Sequence, residues 1–302
     1  IWSPVASQSK EISFLKDLAI SEVMSSFILF IFIYSFFNIM NDKIVTILGS
    51  GFLNKYLVRL LNKKNYRCII STRTPFQKGS LKTQATPGAI ELIEWNPNNF
   101  SQLKESIKNS DVVINLIGIL YETRKQKFMK IHRDIPEAVA KICAQSDVKK
   151  FINISAIGAK ENSKSLYQRS KFQGEVKALT NFKNTVIIRP SVIEGTESNF
   201  SNLFAKLSFL PVIPIVNKSY NFQPILVTDV ADAIVKAIEA KDNHGKIYEI
   251  GGPKIISFEN MIKSILRTIN KKRFVIEMPI SIAKIQSSVM SLLPIPPILT
   301  RD

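Results

Sequence analysis

Tyr167 and Lys171 stand four residues apart, so on a helix both side chains share one face. Ser155 closes the apolar run Phe151-Ile152-Asn153-Ile154, which reads as a buried strand. Together the three residues suit proton transfer to a carbonyl or a hydroxyl. A free tyrosine, with a pKa near ~10, is a poor acid or base at neutral pH. A nearby ammonium favours the phenolate and lowers that pKa, and the serine hydroxyl holds the substrate oxygen. Tyr121 and Lys125 repeat the spacing, but no strand-end serine precedes them. Ser155, Tyr167 and Lys171 are the catalytic candidates.

These residues need a scaffold, and from Lys43 onward the pattern supplies one. Strands are expected at Lys43 to Leu48, Tyr66 to Arg73, Ile90 to Glu94, Asp111 to Leu116, Lys150 to Ile154 and Thr185 to Arg189. Helices are expected between them at Phe52 to Lys64, Phe100 to Lys108, Ile135 to Gln145 and Ser165 to Asn181. Such alternation with buried strands argues for a Rossmann-type, doubly wound parallel sheet of the α/β class. Beyond Pro190 the regularity fades, with further helices at Val227 to Ala240, Ser257 to Asn270 and Pro279 to Leu293. The domains are then an apolar segment 1–42, a dinucleotide-binding domain 43–190 and a smaller lobe 191–302 closing over the strand ends.

Gly49-Ser50-Gly51-Phe52 joins the first strand to the first helix. A dinucleotide pyrophosphate sits at such a junction, against backbone N–H groups and the positive helix end. Asn54 occupies the place of the third glycine of that fingerprint. The second strand ends in Ser71-Thr72-Arg73, without the acid that binds a ribose 2′-hydroxyl. An arginine there accommodates a 2′-phosphate, so NADP(H) is favoured over NAD(H). Lys55 offers a second positive charge.

The chain carries a net charge of +17. Attraction to an anionic partner, a membrane surface or a protein subunit, is one reading; compositional drift towards lysine is the other. No nucleic-acid module appears. Cys68 and Cys143 lie in apolar runs and read as core thiols in a reducing compartment. The chain's 2 histidines are far apart, so neither a histidine metal site nor a Ser-His-Asp triad is expected. Residues 23–40 are almost wholly apolar, near the minimum length of a membrane span. They are either an anchor holding the rest on the cytoplasmic side or an artefact of start-site assignment.

Taken in order, the motifs resemble a known family. They are Gly49-Ser-Gly-Phe, Asn115-Leu-Ile-Gly-Ile-Leu-Tyr-Glu122, Ser155-Ala-Ile-Gly-Ala159, Tyr167-Gln-Arg-Ser-Lys171 and Ile188-Arg-Pro-Ser191. Phe222-Gln-Pro-Ile225, Val227-Thr-Asp-Val-Ala231, Tyr248-Glu-Ile-Gly-Gly-Pro253 and Leu299-Thr-Arg-Asp302 continue the series. The chain is similar to the atypical short-chain dehydrogenase/reductases, above all to the family of the 39-kDa accessory subunit of respiratory complex I and its alphaproteobacterial relatives. The resemblance implies a Rossmann-type domain holding NADPH as a structural cofactor, with complex I subunits or the membrane surface as partners. It places Gly49, Ser50, Gly51 and Phe52 along the pyrophosphate, Arg73 at the 2′-phosphate, and Asn115 and Gly118 between ribose and nicotinamide. Tyr167 and Lys171 would contact the nicotinamide ribose, with Pro190 and Ser191 near the amide. The implied protein is an accessory or assembly factor at the cytoplasmic face of the inner membrane. The alternative is an active NADP-dependent oxidoreductase or epimerase acting on a quinone, lipid or sugar nucleotide. The glycine loop departs from the family pattern, either by substitution or by a one-residue deletion.

Overall fold

The computed structural model describes residues 43–97 and 99–279, together with Met24, residues 28–30 and Ser281. Residues 1–43 and 44–302 separate as two units, and the second carries the fold. The expected anchor at 23–40 and the helix expected at Pro279 to Leu293 lie almost wholly outside the described residues. Among those described, no helix is long and apolar enough to cross a membrane.

Seven strands form the central sheet: β1 (Lys43–Leu48), β2 (Tyr66–Thr72), β3 (Ile90–Glu94), β4 (Val112–Asn115), β5 (Lys150–Ile154), β6 (Thr185–Pro190) and β11 (Ile247–Ile250). Their spatial order is β11-β6-β5-β4-β1-β2-β3, and the strands run parallel. The order reverses between β1 and β4. In open α/β sheets that switch point opens a crevice at the carboxyl ends of the strands.

Helices cover both faces, which is why the strands read as nearly continuous apolar runs. On one face α1 (Leu53–Lys63) presents Leu53, Leu57, Val58 and Leu61 to the sheet. Beside it lies α6 (Val227–Glu239), with Val230, Ala231, Ile234 and Ile238 in the same core. On the other face are α2 (Phe100–Ile107), α3 (Ile135–Ala144) and α4 (Leu166–Asn181), with Leu103, Ile107, Val139, Cys143 and Ala178 inward. Both cysteines are buried, and burial pushes each thiol up to about 12. They are inert core residues at neutral pH.

Beyond β6 the chain forms small paired strands: β7 (Ile193–Glu194) with β10 (Ile225–Leu226), β9 (Asn221–Phe222) with β12 (Ile256–Ser257), and β8 (Val212–Ile215) with β13 (Phe274–Glu277). Helices α5 (Asn199–Leu207) and α7 (Phe258–Thr268) enclose a separate small core of Phe204, Ile213, Ile215, Ile262 and Leu266.

Candidate functional site

The glycine loop leaves β1 at its carboxyl end. Gly49 has φ +97°, a backbone state that side chains other than glycine resist. Its N–H donates to the Ser71 carbonyl at 2.9 Å. A Cβ there would stand 3.0 Å from the Ile117 side chain, so the loops after β1 and β4 touch. Gly51 differs, because a Cβ on it would meet nothing within 4 Å. Phe52 caps α1 without a side-chain bond, and no acid lies in the first turn. Open backbone at an uncapped helix start fits a pyrophosphate.

Asn54, standing where the fingerprint has a third glycine, is fully buried. Its Nδ2 donates to the Gly49 carbonyl at 2.7 Å, while its Oδ1 is buried without a partner. The side chain thus ties the loop back on itself. Ser50 Oγ lies 2.7 Å from Thr72 Oγ1, which fixes the loop to the end of β2.

Arg73, next along, is exposed and lines a cavity of about 250 Å3 with Lys125, Lys130, Glu94, Trp95 and Asn96. Three cations against one carboxylate make this cavity suited to an anion. Lys55, by contrast, is already paired. Its Nζ is 2.7 Å from Glu197 Oε1, and the Tyr56 hydroxyl donates to Glu197 Oε2 at 2.8 Å. The second positive charge that the sequence offers at Lys55 is thus held against Glu197. These bonds, Lys55 first, hold the Glu197 carboxyl down at about 2, and they strap the segment after β7 over the start of α1.

The candidate residues Ser155, Tyr167 and Lys171 lie at the end of β5 and the start of α4, against the loop after β4. Ser165 caps that helix by accepting from Gln168 N. Ser155 is buried, and its Oγ has no hydrogen-bond partner. Lys171 is buried, with Nζ donating to the Ile154 carbonyl at 3.1 Å. A Cβ on Gly118 would stand 3.3 Å from that Nζ, which brings the β4 loop against the lysine. Asn115 is buried at the end of β4; its Nδ2 donates to Asn153 Oδ1 at 2.8 Å and its Oδ1 accepts from Ile117 N at 3.2 Å. Its side chain therefore shapes the loop. Pro190 ends β6, its carbonyl accepting from Ile157 N, while Ser191 N donates to the Ile250 carbonyl.

The electrostatics differ from the sequence-based expectation. Burial pushes the Tyr167 phenol up to about 12, and no lysine contribution opposes it. The Lys171 ammonium is itself pushed down to about 8 by burial, partly restored by Glu175. Desolvation alone sets the shift at Tyr167, so the free protein holds a neutral phenol.

Set side by side, these elements match the features of one family. A model of the NAD dependent epimerase/dehydratase family matches residues 45–251. The chain belongs to that family. It is 30% identical over 263 residues to mouse (Mus musculus) mitochondrial NADH dehydrogenase (ubiquinone) 1 alpha subcomplex subunit 9, covering 86% of this chain and 70% of the relative. A ceramide reductase from Caulobacter vibrioides is 27% identical over 198 residues, covering 64% of this chain and 60% of the relative. Among solved structures, a UDP-glucuronic acid 4-epimerase from Bacillus cereus, in complex with UDP-glucuronic acid and NAD, superposes with TM-score 0.65. It shares 20% identity and covers 78% of this chain and 86% of its own, a likeness of fold.

One residue of this family member escaped the sequence reading. His132, far in sequence from the other histidine, is 2% exposed and packs against Tyr167 and Gly118. It lies in a π-helical turn, Met129–Asp134, that leads into α3. Such turns often mark functional sites. Ile119 N donates to His132 Nε2 at 3.1 Å, which leaves Nδ1–H to donate to Ser170 Oγ at 2.9 Å. Ser170 in turn donates to the Tyr167 carbonyl at 2.7 Å. The imidazole packs edge-on against Tyr167, ring centroids 5.2 Å apart. A Cβ at Gly174 would sit 1.8 Å from the His132 carbonyl oxygen, so only glycine lets α4 approach this closely. The readable signal was the small-residue pair Ser170 and Gly174, one turn apart on the helix of the tyrosine.

Burial, aided by the Lys171 ammonium, pushes His132 down to about 2 from 6.5. The unfolded chain therefore takes up a proton below pH 6.5 that the folded chain refuses. Stability from this group is full above pH 6.5 and declines towards pH 2, at about 1.4 kcal/mol per pH unit. Urea unfolding across that window should show the slope in the parent and a flatter one in His132→Gln.

Proposed function

We propose that this chain is an NADP(H)-binding accessory or assembly protein of respiratory complex I. The observation that carries the reading is the 30% identity to the mouse NADH dehydrogenase subunit across 86% of the chain. Gly49, Ser50, Gly51 and Phe52 would cradle the pyrophosphate, and the open space at Gly51 supports that assignment. Arg73 would hold the 2′-phosphate in a cavity already rich in cations. Tyr167 and Lys171 would meet the nicotinamide ribose beside Gly118, with Pro190 and Ser191 near the amide. When bound, the nucleotide supplies a hydride; this chain's residues bind it, orient it and keep a proton on Tyr167. The protein would work at the cytoplasmic face of the inner membrane, peripherally or held there by residues 23–40.

A tagged copy should co-purify with complex I subunits, and native mass spectrometry should find NADPH on it. Arg73→Ala should weaken NADPH binding by about 1–3 kcal/mol and leave NADH unchanged. Equal affinities of the parent for both nucleotides in calorimetry would defeat the NADP(H) assignment.

A second reading, an active oxidoreductase on a lipid or quinone, is favoured by one observation. The Ser155 hydroxyl is buried with no partner, as a group reserved for a substrate oxygen would be. The similarity to a ceramide reductase points to the same substrate class.

A further inference from the structure

The strands β8 and β13 form a two-stranded parallel ribbon in which Phe274 stands opposite Val212 and Ile276 opposite Pro214. One face of the ribbon, through Ile213, Ile215 and Val275, packs on the small core of the lobe. The other face carries Phe274 and Ile276 outward, with Phe274 77% exposed. Phe209 joins it at 76% exposed. Two hydrogen bonds join the segments that carry them: Phe274 N donates to the Pro211 carbonyl, and the Arg273 side chain donates from Nε to the Ser208 carbonyl at 2.7 Å. Two phenylalanines left this bare on adjacent segments are unusual for a surface that meets only water.

The charges just before them in sequence have one sign. Lys271 and Lys272 are exposed immediately before Phe274, and Lys206 is exposed on the last turn of α5. Arg273 is bound to backbone carbonyls and rigidifies the turn. The nearest carboxylate in sequence, Glu277, is at the opposite end of β13, roughly 10 Å along the strand. None of the three lysines is in a salt bridge among the described residues.

We propose that Phe209 and Phe274, ringed by Lys206, Lys271 and Lys272, dock this lobe on an anionic lipid surface. Aromatic side chains enter the boundary between headgroups and acyl chains, while lysines take the phosphates. This patch lies on the small lobe and shares no residue with the nucleotide site, so it stands whether or not NADP(H) is bound. It gives the membrane proximity proposed above a specific face, and rests on that reading only for where the membrane is.

The test uses the full chain with one reporter. The native thiols are buried, so in Phe274→Cys a polarity-sensitive fluorophore labels position 274, and in Lys104→Cys a distant control. Vesicles of phosphatidylcholine mixed with phosphatidylglycerol should blue-shift the label at 274 and not that at 104. Vesicles of phosphatidylcholine alone should do so weakly, and added salt should reverse the shift. In the same assay Lys271→Gln/Lys272→Gln should weaken the response roughly tenfold or more, and Lys104→Gln/Lys183→Gln should not. The proposal is overturned by no shift at 274, by equal shifts at 274 and 104, or by equal losses in the two double variants. It is also overturned if the label at 274 is already shifted before vesicles are added, because the chain itself or a second copy then covers this face. Failure here leaves co-purification with complex I untouched, since that experiment reads a protein partner.

Discussion

Arg189→Ala should destabilise the fold by about 3–5 kcal/mol. Arg189 grips Glu175 with two bonds, Nε to Oε1 at 2.9 Å and Nη2 to Oε2 at 2.6 Å, and reaches Glu249 at 3.0 Å. The Glu175 side chain is 1% exposed. Truncating the arginine leaves that carboxylate in the packed layer between α4 and β6 without the guanidinium bonded to it, with only the Lys171 ammonium acting on it. Arg189→Met paired with Glu175→Leu removes both charges together and should recover most of the loss, since the pair's attraction largely offsets its desolvation. Urea unfolding of the two singles and the double checks this; equal losses in singles and double would mean packing, not charge, is at stake. The effect reaches the site as well. Glu175 lies one turn beyond Lys171 and is the group that raises the lysine's pKa against burial. Without its arginine, Glu175 would act on Lys171 as a less compensated anion.

The sheet was legible because its strands are buried on both sides. Val45 to Leu48, Val112 to Asn115 and Phe151 to Ile154 leave little surface to water, and such runs stand out against amphipathic helices. The edge strand β11 was missed for the converse reason: Ile247, Tyr248 and Glu249 are exposed and show no alternation to read. Ile193–Glu194 and the other two-residue strands are too short to carry a period at all. The turn before α3 was not legible, because Pro136 marks the helix start at Ile135, where the helix itself does begin. The π-helical turn at Met129–Asp134 precedes it without a break, and that turn delivers His132.

The site divides along the same line. Backbone requirements were readable, as with Gly49 in its positive-φ turn and the open Gly51. The phenol, the lysine and the serine were readable because their spacing is local. The sign of the tyrosine's pKa shift was not, because it depends on how far Phe128, His132 and the α4 backbone exclude water. Asn54 looked like a defect in the fingerprint. In the folded chain its amide bonds the Gly49 carbonyl, a contact that spacing alone does not announce.

Tyr167 and Lys171 should respond to substitution in opposite ways, and the pattern decides between enzyme and structural binder. Lys171 is held at about 8 against an ordinary 10.5. Below pH 8 the lysine is charged in both folded and unfolded chains, so the cost of burying the ammonium is fully present. That cost fades as pH rises towards 10.5, where the unfolded chain also loses its proton. Lys171→Met should therefore stabilise the nucleotide-free protein at neutral pH by about 1–3 kcal/mol, after allowing for the lost bond to the Ile154 carbonyl. The same variant should lose NADPH affinity, because the ammonium beside Gly118 is the group proposed to meet the ribose. A residue that lowers stability and raises affinity is kept for binding, whichever reading holds. Tyr167→Phe separates the readings. If the phenol is the proton donor, turnover should fall by ~10²–10⁴ while nucleotide affinity changes by only ~0.5–1.5 kcal/mol. If the pair only clamps the ribose, no ketone, quinone or lipid carbonyl will oxidise bound NADPH in the parent, and the phenylalanine variant will differ from it only by that small loss of affinity. A decay of NADPH absorbance with a lipid carbonyl, present in the parent and absent in Tyr167→Phe, would make this chain an enzyme; its absence across quinones, ketones and sugar nucleotides would leave the nucleotide a structural part of the fold.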